Sequence, residues 1–363
     1  MKDILLHLRK LDWVLIISAL FLAGFGLLSI YSSSAGGDFS NFRKQIIFIA
    51  IGFLSMMIFS FLDWRIFRDN SYLILALYFL CLILLAGLFY FVQPIRDVKS
   101  WYKIGQFSLD PIELAKIALA ILLAKYFSMR HVEMYRFYHI ILSGLYVMIP
   151  ALLVFFQPNL GSVMVLVLLW MGILIISGIK TRHFLILCFA GFLILAFSWQ
   201  FLLKDYQKDR ITSFINPQFD PKGISWNVKQ SKIAIGSGGI LGKGIDKGSQ
   251  VQYGFLPEPQ TDFIFSAIAE ETGLIGVIAL LSLFSLLVWR VLKVALTASS
   301  NFSRLFSAGI ATILISQFFI NIGMNLGLLP IIGLSLPLVS YGGSGLIFVF
   351  IGLGILQSII IRK

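Results

Sequence analysis

Charged residues and cysteines are scarce in this chain. Asp, Glu, Lys and Arg make up 13% of its 363 residues and hydrophobic residues 58%, whereas soluble domains are about a quarter charged and half apolar. The only cysteines, Cys81 and Cys188, lie inside apolar stretches, so the sequence indicates neither a disulfide framework nor a metal site built on cysteine. Such a chain belongs in lipid. Its net charge of +12 is then explained by membrane topology and anionic lipid, and we exclude a nucleic-acid partner.

Long hydrophobic stretches recur along the sequence. Because about 20 apolar residues cross a bilayer as one helix, the sequence predicts an all-α integral membrane protein with ten transmembrane helices, forming one polytopic domain over 1–363. The predicted spans lie near 13–32, 45–62, 73–92, 111–127, 137–156, 160–179, 184–203, 263–291, 305–329 and 344–361. The first span lacks a small-residue cleavage site, so we expect it to be retained rather than removed as a signal peptide.

The basic residues in short loops predict the orientation, because such residues are kept on the cytoplasmic side. Fifteen lie at one set of span ends: Lys2, Arg9, Lys10, Arg65, Arg68, Lys125, Arg130, Arg136, Lys180, Arg182, Arg290, Lys293, Arg304, Arg362 and Lys363. Five lie on the other side: Arg43, Lys44, Arg96, Lys99 and Lys103. Both termini are therefore expected in the cytoplasm, with the long polar segment 204–260, between spans 7 and 8, outside.

The segment 204–260 combines aromatic residues with many glycines. Aromatic anchors such as Trp226 and Tyr206 argue against disorder. Residues 236–244 read GSGGILGKG, which lacks the Gly-Lys-Ser/Thr spacing of a nucleotide-binding loop. Two interpretations of this run stay open: glycines that allow close backbone packing, or a surface for a sugar pyrophosphate.

Several motifs follow one another in a recognisable order. The external segment contains DYQKDR at 205–210, DPKG at 220–223 and QSKIAIGSGG at 230–239. It is followed by FLPEPQTDFIF at 255–265, and PLVSYGGS at 337–344 precedes the last span. Over essentially the whole chain, these motifs resemble the SEDS family (shape, elongation, division and sporulation) of peptidoglycan glycosyltransferases. The short tails favour its RodA-like elongation branch.

Four positions depart from the family pattern. Asp110 and Ile112 stand where the family commonly has the Gln and Ser of Gln-Pro-Ser-Glu, Ser100 stands where it has Arg before Trp, and Asn159 stands where it has Asp in Gln-Pro-Asp-Leu-Gly. One guanidinium and one carboxylate are therefore missing, and their family roles cannot be assigned to Ser100 and Asn159. Glu113, Lys116 and Asp262 do match the pattern.

The resemblance implies an enzyme of the bacterial inner membrane that polymerises lipid II for cell elongation and rod shape. In that reaction a sugar hydroxyl attacks an anomeric carbon and expels undecaprenyl pyrophosphate with inversion. Asp262, at the start of the eighth span, is the predicted catalytic base, because a carboxylate there can accept the hydroxyl proton. The alternative is that Thr261 and Asp262 only cap the helix.

Further polar residues are candidates for the substrate cavity. Glu113 and Lys116 lie one helical turn apart and are expected to pair, with a second role in the cavity. Gln317, Asn321 and Asn325 recur every four residues on one face, which hydrogen bonding between helices explains without any substrate. The predicted substrate-binding residues are Glu113, Lys116, Arg210, Lys232, Lys243, Glu258, Ser340 and Tyr341.

Two rival functions are a flippase for lipid-linked cell-wall precursors and a non-catalytic scaffold for cell-wall synthases. A flippase needs charge along a path through the membrane, whereas Asp262 is one carboxylate near the outer face, so the transferase is preferred. The resemblance also implies a class B penicillin-binding protein transpeptidase and membrane proteins of the elongation machinery as partners. No cofactor is required by the motifs, and assistance by a divalent cation, Mg²⁺ or Mn²⁺, is left open.

The predicted orientation can be tested by labelling single cysteines in intact cells, in a variant without Cys81 and Cys188. An impermeant thiol reagent should label a cysteine at position 249, in the external segment, and should spare one at the C-terminus. Protection at 249 together with labelling at the C-terminus would show that the chain is inserted the other way round.

Overall fold

The computed structural model describes residues 2–34, 37–92, 100–105, 107–130, 137–216, 218, 220 and 223–362. Of the residues used above, Arg96, Lys99, Arg136, Pro221 and Lys363 lie outside these ranges. The elements are α1 Lys2–Lys10, α2 Trp13–Ser33, α3 Ser40–Phe61, α4 Arg65–Asp69, α5 Ser71–Phe91, β1 Tyr102–Ile104, β2 Phe107–Leu109, α6 Pro111–Arg130, α7 Phe137–Phe156, α8 Leu160–Ile176, α9 Thr181–Phe201, α10 Asp205–Ile215, α11 Ile224–Gly238, α12 Ser249–Gln252, α13 Ile264–Thr297, α14 Asn301–Asn325 and α15 Gly343–Ile361.

Every predicted span coincides with a helix: α2, α3, α5 to α9 and α13 to α15. Within the described ranges, eight of these helices are long and apolar enough to cross a membrane. The other two are α8, which has 17 residues, and α6, which carries Glu113, Lys116 and Lys125. The expected helical, multi-pass membrane fold is therefore confirmed, while the number of crossings stays a prediction.

The helix α14 lies at the centre of the bundle. It packs against α6, α8 and α13, while α15 packs on α3 and α13 on α2. In its most apolar stretch 78% of α14 is buried inside the chain, against 6% for α9. Small residues allow this close packing. At Gly309, for example, an added Cβ would already lie 3.2 Å from the Cδ1 atom of Ile173 on α8.

The segment 204–260 is folded against the bundle by its glycine run. Helix α13 is interrupted at Gly273, which has φ 64° and ψ −164°, and the backbone of the glycine run fills the interruption. Gly244 N donates to the Glu271 carbonyl (2.9 Å), and Leu274 N donates to the Gly239 carbonyl (2.9 Å). Because a Cβ on Gly242 would lie 2.1 Å from the Glu271 carbonyl oxygen, only glycine fits there. Of the two interpretations of this run, the contacts favour close backbone packing.

Candidate active site

A cavity of about 170 Å³ opens where three segments that each precede a helix meet. They are the turn 258–263 before α13, the segment 100–110 before α6 and the segment 333–342 before α15. We call this space the Asp262 cavity. Its wall includes four predicted site residues, Asp262, Glu113, Ser340 and Tyr341, and three others, Asp110, Asn159 and Gln317.

Asp262 is presented to the cavity by a tight turn. Thr261 N and Phe263 N both donate to the carbonyl oxygen of Glu258, each at 3.2 Å, and Glu258 has a left-handed backbone with φ 44°. The N-cap position of α13 is Phe263, without a side-chain cap hydrogen bond. Thr261 and Asp262 are therefore not the N-cap residues, in contrast to the alternative considered from the sequence.

Two asparagines of α14 form hydrogen bonds to the backbone of this turn. The Nδ2 groups of Asn321 and Asn325 donate to the main-chain carbonyl oxygen of Asp262 at 3.1 and 2.9 Å. Asn325 Oδ1 accepts from the Ser266 hydroxyl on α13 at 2.6 Å, and both asparagines are fully buried. We call Asn321 and Asn325 the asparagine pair. Their predicted hydrogen bonding between helices is confirmed, and its target is the backbone of Asp262.

Ser340 and Tyr341 hold the same turn from the opposite side. Ser340 Oγ donates to the Thr261 carbonyl oxygen at 2.7 Å, and Tyr341 N donates to the Gln260 carbonyl oxygen at 2.7 Å. Burial raises the pKa of Tyr341, so its phenol stays protonated at neutral pH and can donate a hydrogen bond into the cavity. Both residues thus contact the turn that carries Asp262 and line the cavity.

Glu113 and Lys116 form the expected ion pair at the start of α6. Lys116 Nζ lies 2.6 Å from Glu113 Oε1, with 2% of the lysine side chain and 14% of the glutamate side chain exposed. Glu113 lines the Asp262 cavity, whereas Lys116 lies behind it. The lysine therefore neutralises a carboxylate that faces the cavity.

Asp110, just before α6, adds a third acidic side chain to the cavity wall. Its Oδ1 accepts from Ile112 N at 3.1 Å, and its own backbone N donates to Ser344 Oγ at 2.8 Å. Burial, followed by the neighbouring Glu113 carboxylate, raises the pKa of Asp110 to about 8. Both effects favour the neutral acid, which can donate a hydrogen bond.

A second cavity, of about 560 Å³, lies between α10, α11 and the segment after α14. Arg210, Lys229 and Lys232 line it together with apolar side chains, and none of the lining residues is acidic. None of the three cations forms an ion pair with a residue in the described ranges. We call this the basic groove. It joins two predicted substrate residues, Arg210 and Lys232, to Lys229, which the sequence did not single out.

Besides Lys116, two predicted substrate residues line neither cavity. Lys243 Nζ lies 2.7 Å from Glu270 Oε1, and the Glu270 side chain is fully buried, so this lysine neutralises a carboxylate inside the fold. Glu258 has an exposed side chain, and its carbonyl oxygen shapes the turn that carries Asp262. Their positions favour structural roles over direct contact with a substrate.

The arrangement can now be compared with known proteins. A family model described as a cell cycle protein, covering FtsW, RodA and SpoVE, matches residues 12–363. The chain belongs to this family. Peptidoglycan glycosyltransferase MrdB of Escherichia coli K12 is 38% identical over 352 residues, which cover 96% of this chain and 93% of MrdB.

Solved structures agree with this assignment. A chain from a peptidoglycan synthase complex, described as coordinating polymerization and crosslinking, superimposes with a TM-score of 0.82 at 30% identity, covering 96% of this chain and 97% of that one. The rod shape determining protein RodA of Thermus thermophilus superimposes with a TM-score of 0.70 at 28% identity, covering 96% of each chain. The chain is thus a RodA-like member of the FtsW, RodA and SpoVE family.

Two of the departures from the family pattern lie side by side. Asn159 Nδ2 donates to Ser100 Oγ at 3.3 Å, and Asn159 Oδ1 accepts from Ser162 N at the start of α8. The sequence pattern of the family places an arginine and an aspartate at these two positions. A neutral hydrogen bond therefore stands here in place of two opposite charges, and neither position holds a lone charge at the cavity.

The function of the pair Glu113 and Lys116 can be tested by charge removal. Either single substitution, Glu113→Gln or Lys116→Met, leaves one charge buried without its partner, at a cost of about 3–5 kcal/mol of stability. The double variant removes both charges at similar volume and should recover much of that stability, as measured by thermal unfolding in detergent. A double variant that is stable but inactive would assign the pair to the substrate cavity as well. Stable and active single variants would contradict the pairing.

Proposed function

We propose that this chain is a peptidoglycan glycosyltransferase that polymerises lipid II into glycan strands for cell elongation and rod shape. The observation that carries the proposal is the position of Asp262, a carboxylate at the wall of a polar cavity, on a turn held by four neighbouring side-chain and backbone donors. The names of the similar proteins, MrdB among them, support the same activity.

In the proposed reaction the Asp262 carboxylate accepts the proton of an acceptor sugar hydroxyl as its oxygen attacks the anomeric carbon of a donor sugar. The new C–O bond forms on the face opposite the leaving group, so the configuration inverts. The bond from the anomeric carbon to the pyrophosphate breaks, and undecaprenyl pyrophosphate departs with the electron pair. One positioned base suffices for this transfer, and a contribution of about 10²- to 10⁴-fold is typical of such a group.

The neighbouring side chains divide the remaining tasks. Glu113, neutralised by Lys116, offers the cavity an acceptor whose charge is already balanced. Tyr341 and the protonated form of Asp110 offer donors. Among the described residues, no group of three His, Cys, Asp or Glu side chains is arranged to hold a metal ion, and the transfer balances without one.

The basic groove is the proposed site for the pyrophosphate of a lipid-linked substrate. Arg210, Lys229 and Lys232 supply positive charge without a competing acid in the wall, and charge-assisted hydrogen bonds to phosphate oxygens are strong. Apolar neighbours such as Val228 and Ile331 suit an isoprenoid chain. Gly327 and Ile331 of the groove and Gly333 of the Asp262 cavity belong to the same segment after α14, so one segment contributes to the lining of both sites.

The chain is a multi-pass membrane protein, and we propose the bacterial inner membrane with both termini in the cytoplasm, which the cysteine labelling tests. As partners we propose a class B penicillin-binding protein transpeptidase and the membrane proteins of the elongation machinery. The similar chain from a peptidoglycan synthase complex supports such an assembly.

Polymerisation of purified lipid II by the purified protein tests the function, and Asp262→Asn tests the base. The amide keeps the shape of the carboxylate but cannot accept the proton, so we expect normal folding and a loss of glycan synthesis of about 10²-fold or more. Asp38→Asn, at an exposed carboxylate outside both cavities, is the matched control and should stay active.

Near-normal synthesis by folded Asp262→Asn protein would remove Asp262 as the base. A wild-type protein that moves lipid II across vesicles but makes no glycan would favour the flippase.

A further inference from the structure

Gln317 lies on the polar face of α14, but no hydrogen bond within the described residues accounts for its polar side chain. It lies one helical turn before Asn321 and two before Asn325, on the same face of the helix. The asparagine pair is fully engaged with the Asp262 carbonyl oxygen and neighbouring groups. Gln317 lies beside them in the wall of the Asp262 cavity.

The side chain of Gln317 is buried, and its amide oxygen has no hydrogen-bond partner among the described residues. Only 3% of the residue is exposed, and its Oε1 accepts no hydrogen bond from any residue of the described ranges. Burying a polar group without a partner destabilises a fold. Hydrogen bonding between helices, which the sequence suggests for this residue, therefore accounts for Asn321 and Asn325 but not for Gln317.

We propose that Gln317 binds the sugar of the substrate, through a hydrogen bond between its amide and a hydroxyl or acetamido group. The proposal rests on the glycosyltransferase function above and adds a substrate-binding residue to it. An amide carries one acceptor oxygen and two N–H donors, and a sugar hydroxyl or acetamido group can satisfy both kinds of atom. Rotation of the amide by 180° exchanges the two, so either can be turned to the ligand.

The surroundings fit recognition of a neutral group. Gln317 carries no charge, so it orients a sugar beside Asp262 without repelling or neutralising the carboxylate that must accept a proton. The backbone of the Asp262 turn is held by the same helix face one turn away. A sugar held by Gln317 would thus be positioned by the same rigid element that positions the base, and such shared placement favours productive alignment.

The test is Gln317→Met, which keeps the volume and removes the polar atoms. Because the amide oxygen has no hydrogen-bond partner among the described residues, loss of the amide should leave the temperature of unfolding unchanged or raised. Because one neutral hydrogen bond to the substrate is lost, the KM for lipid II should rise about fivefold with kcat within about twofold. Both quantities are measured on the full-length protein.

Gln357→Met is the matched control for stability. The Gln357 amide on α15 is also buried, but it accepts from Asp12 N at 2.9 Å and donates to the Asp12 carbonyl oxygen at 3.0 Å. The same substitution there leaves two backbone groups without partners, so it should lower the temperature of unfolding, which confirms that the assay detects a lost hydrogen bond.

Each outcome for Gln317→Met decides the proposal. A stable variant with a raised KM supports it. A destabilised variant would make Gln317 a structural residue, and a stable variant with unchanged KM, or with a change in kcat alone, would also contradict sugar binding. If the wild-type protein makes no glycan, the proposed function is refuted instead. The two failures can be told apart because this one is seen before any substitution is introduced.

Discussion

The site depends on one constraint, which is that the backbone carbonyl oxygens of the turn 258–263 accept hydrogen bonds from neighbouring groups. Irregular backbone at the edge of a membrane is tolerated only where neighbouring groups satisfy its polar atoms. Here the Glu258 carbonyl accepts from two backbone N–H groups, Gln260 from Tyr341 N, Thr261 from Ser340 Oγ, and Asp262 from the asparagine pair. Each of these hydrogen bonds satisfies one carbonyl oxygen and also fixes the position of that atom. Because the backbone of the turn is fixed in this way, the position of the Asp262 carboxylate is set as well.

Polar side chains can be sorted by whether they have a partner inside the fold. Lys243 pairs with the buried Glu270, and Lys116 pairs with Glu113, so their charges are used inside the fold. Gln317 and the three cations of the basic groove have no such partners among the described residues. These four residues line the two cavities, where a charged, sugar-bearing lipid can satisfy them.

The sequence predicts the helices well and the site in part. The apolar stretches are long enough that each predicted span coincides with a helix, and the spacing of Glu113 and Lys116 alone predicts their ion pair. The sequence predicts a substrate contact for Lys243 because a charge in a loop gives no sign of its partner, here the buried Glu270. The bond from Asn321 to Asp262 joins residues 59 positions apart, and no local pattern reveals such a contact.

Asp110 was noted in the sequence as a departure from the family but not as a cavity residue. The backbone of Asp110 is held by a hydrogen bond to Ser344, 234 residues away. The spacing of a local motif gives no information about such a contact. The glycine run likewise has two interpretations until the break at Gly273 is seen beside it.

The central claim is that the asparagine pair sets the position of Asp262, the proposed catalytic carboxylate, and the kinetics of Asn321→Leu test it most directly. Leucine has a similar size but cannot donate to the Asp262 carbonyl oxygen. If the claim is right, the turn loosens, kcat for lipid II polymerisation falls about ten- to a hundredfold, and KM stays within about twofold, because misplacement of a reacting group slows the chemical step. An unchanged kcat in folded Asn321→Leu protein would contradict it.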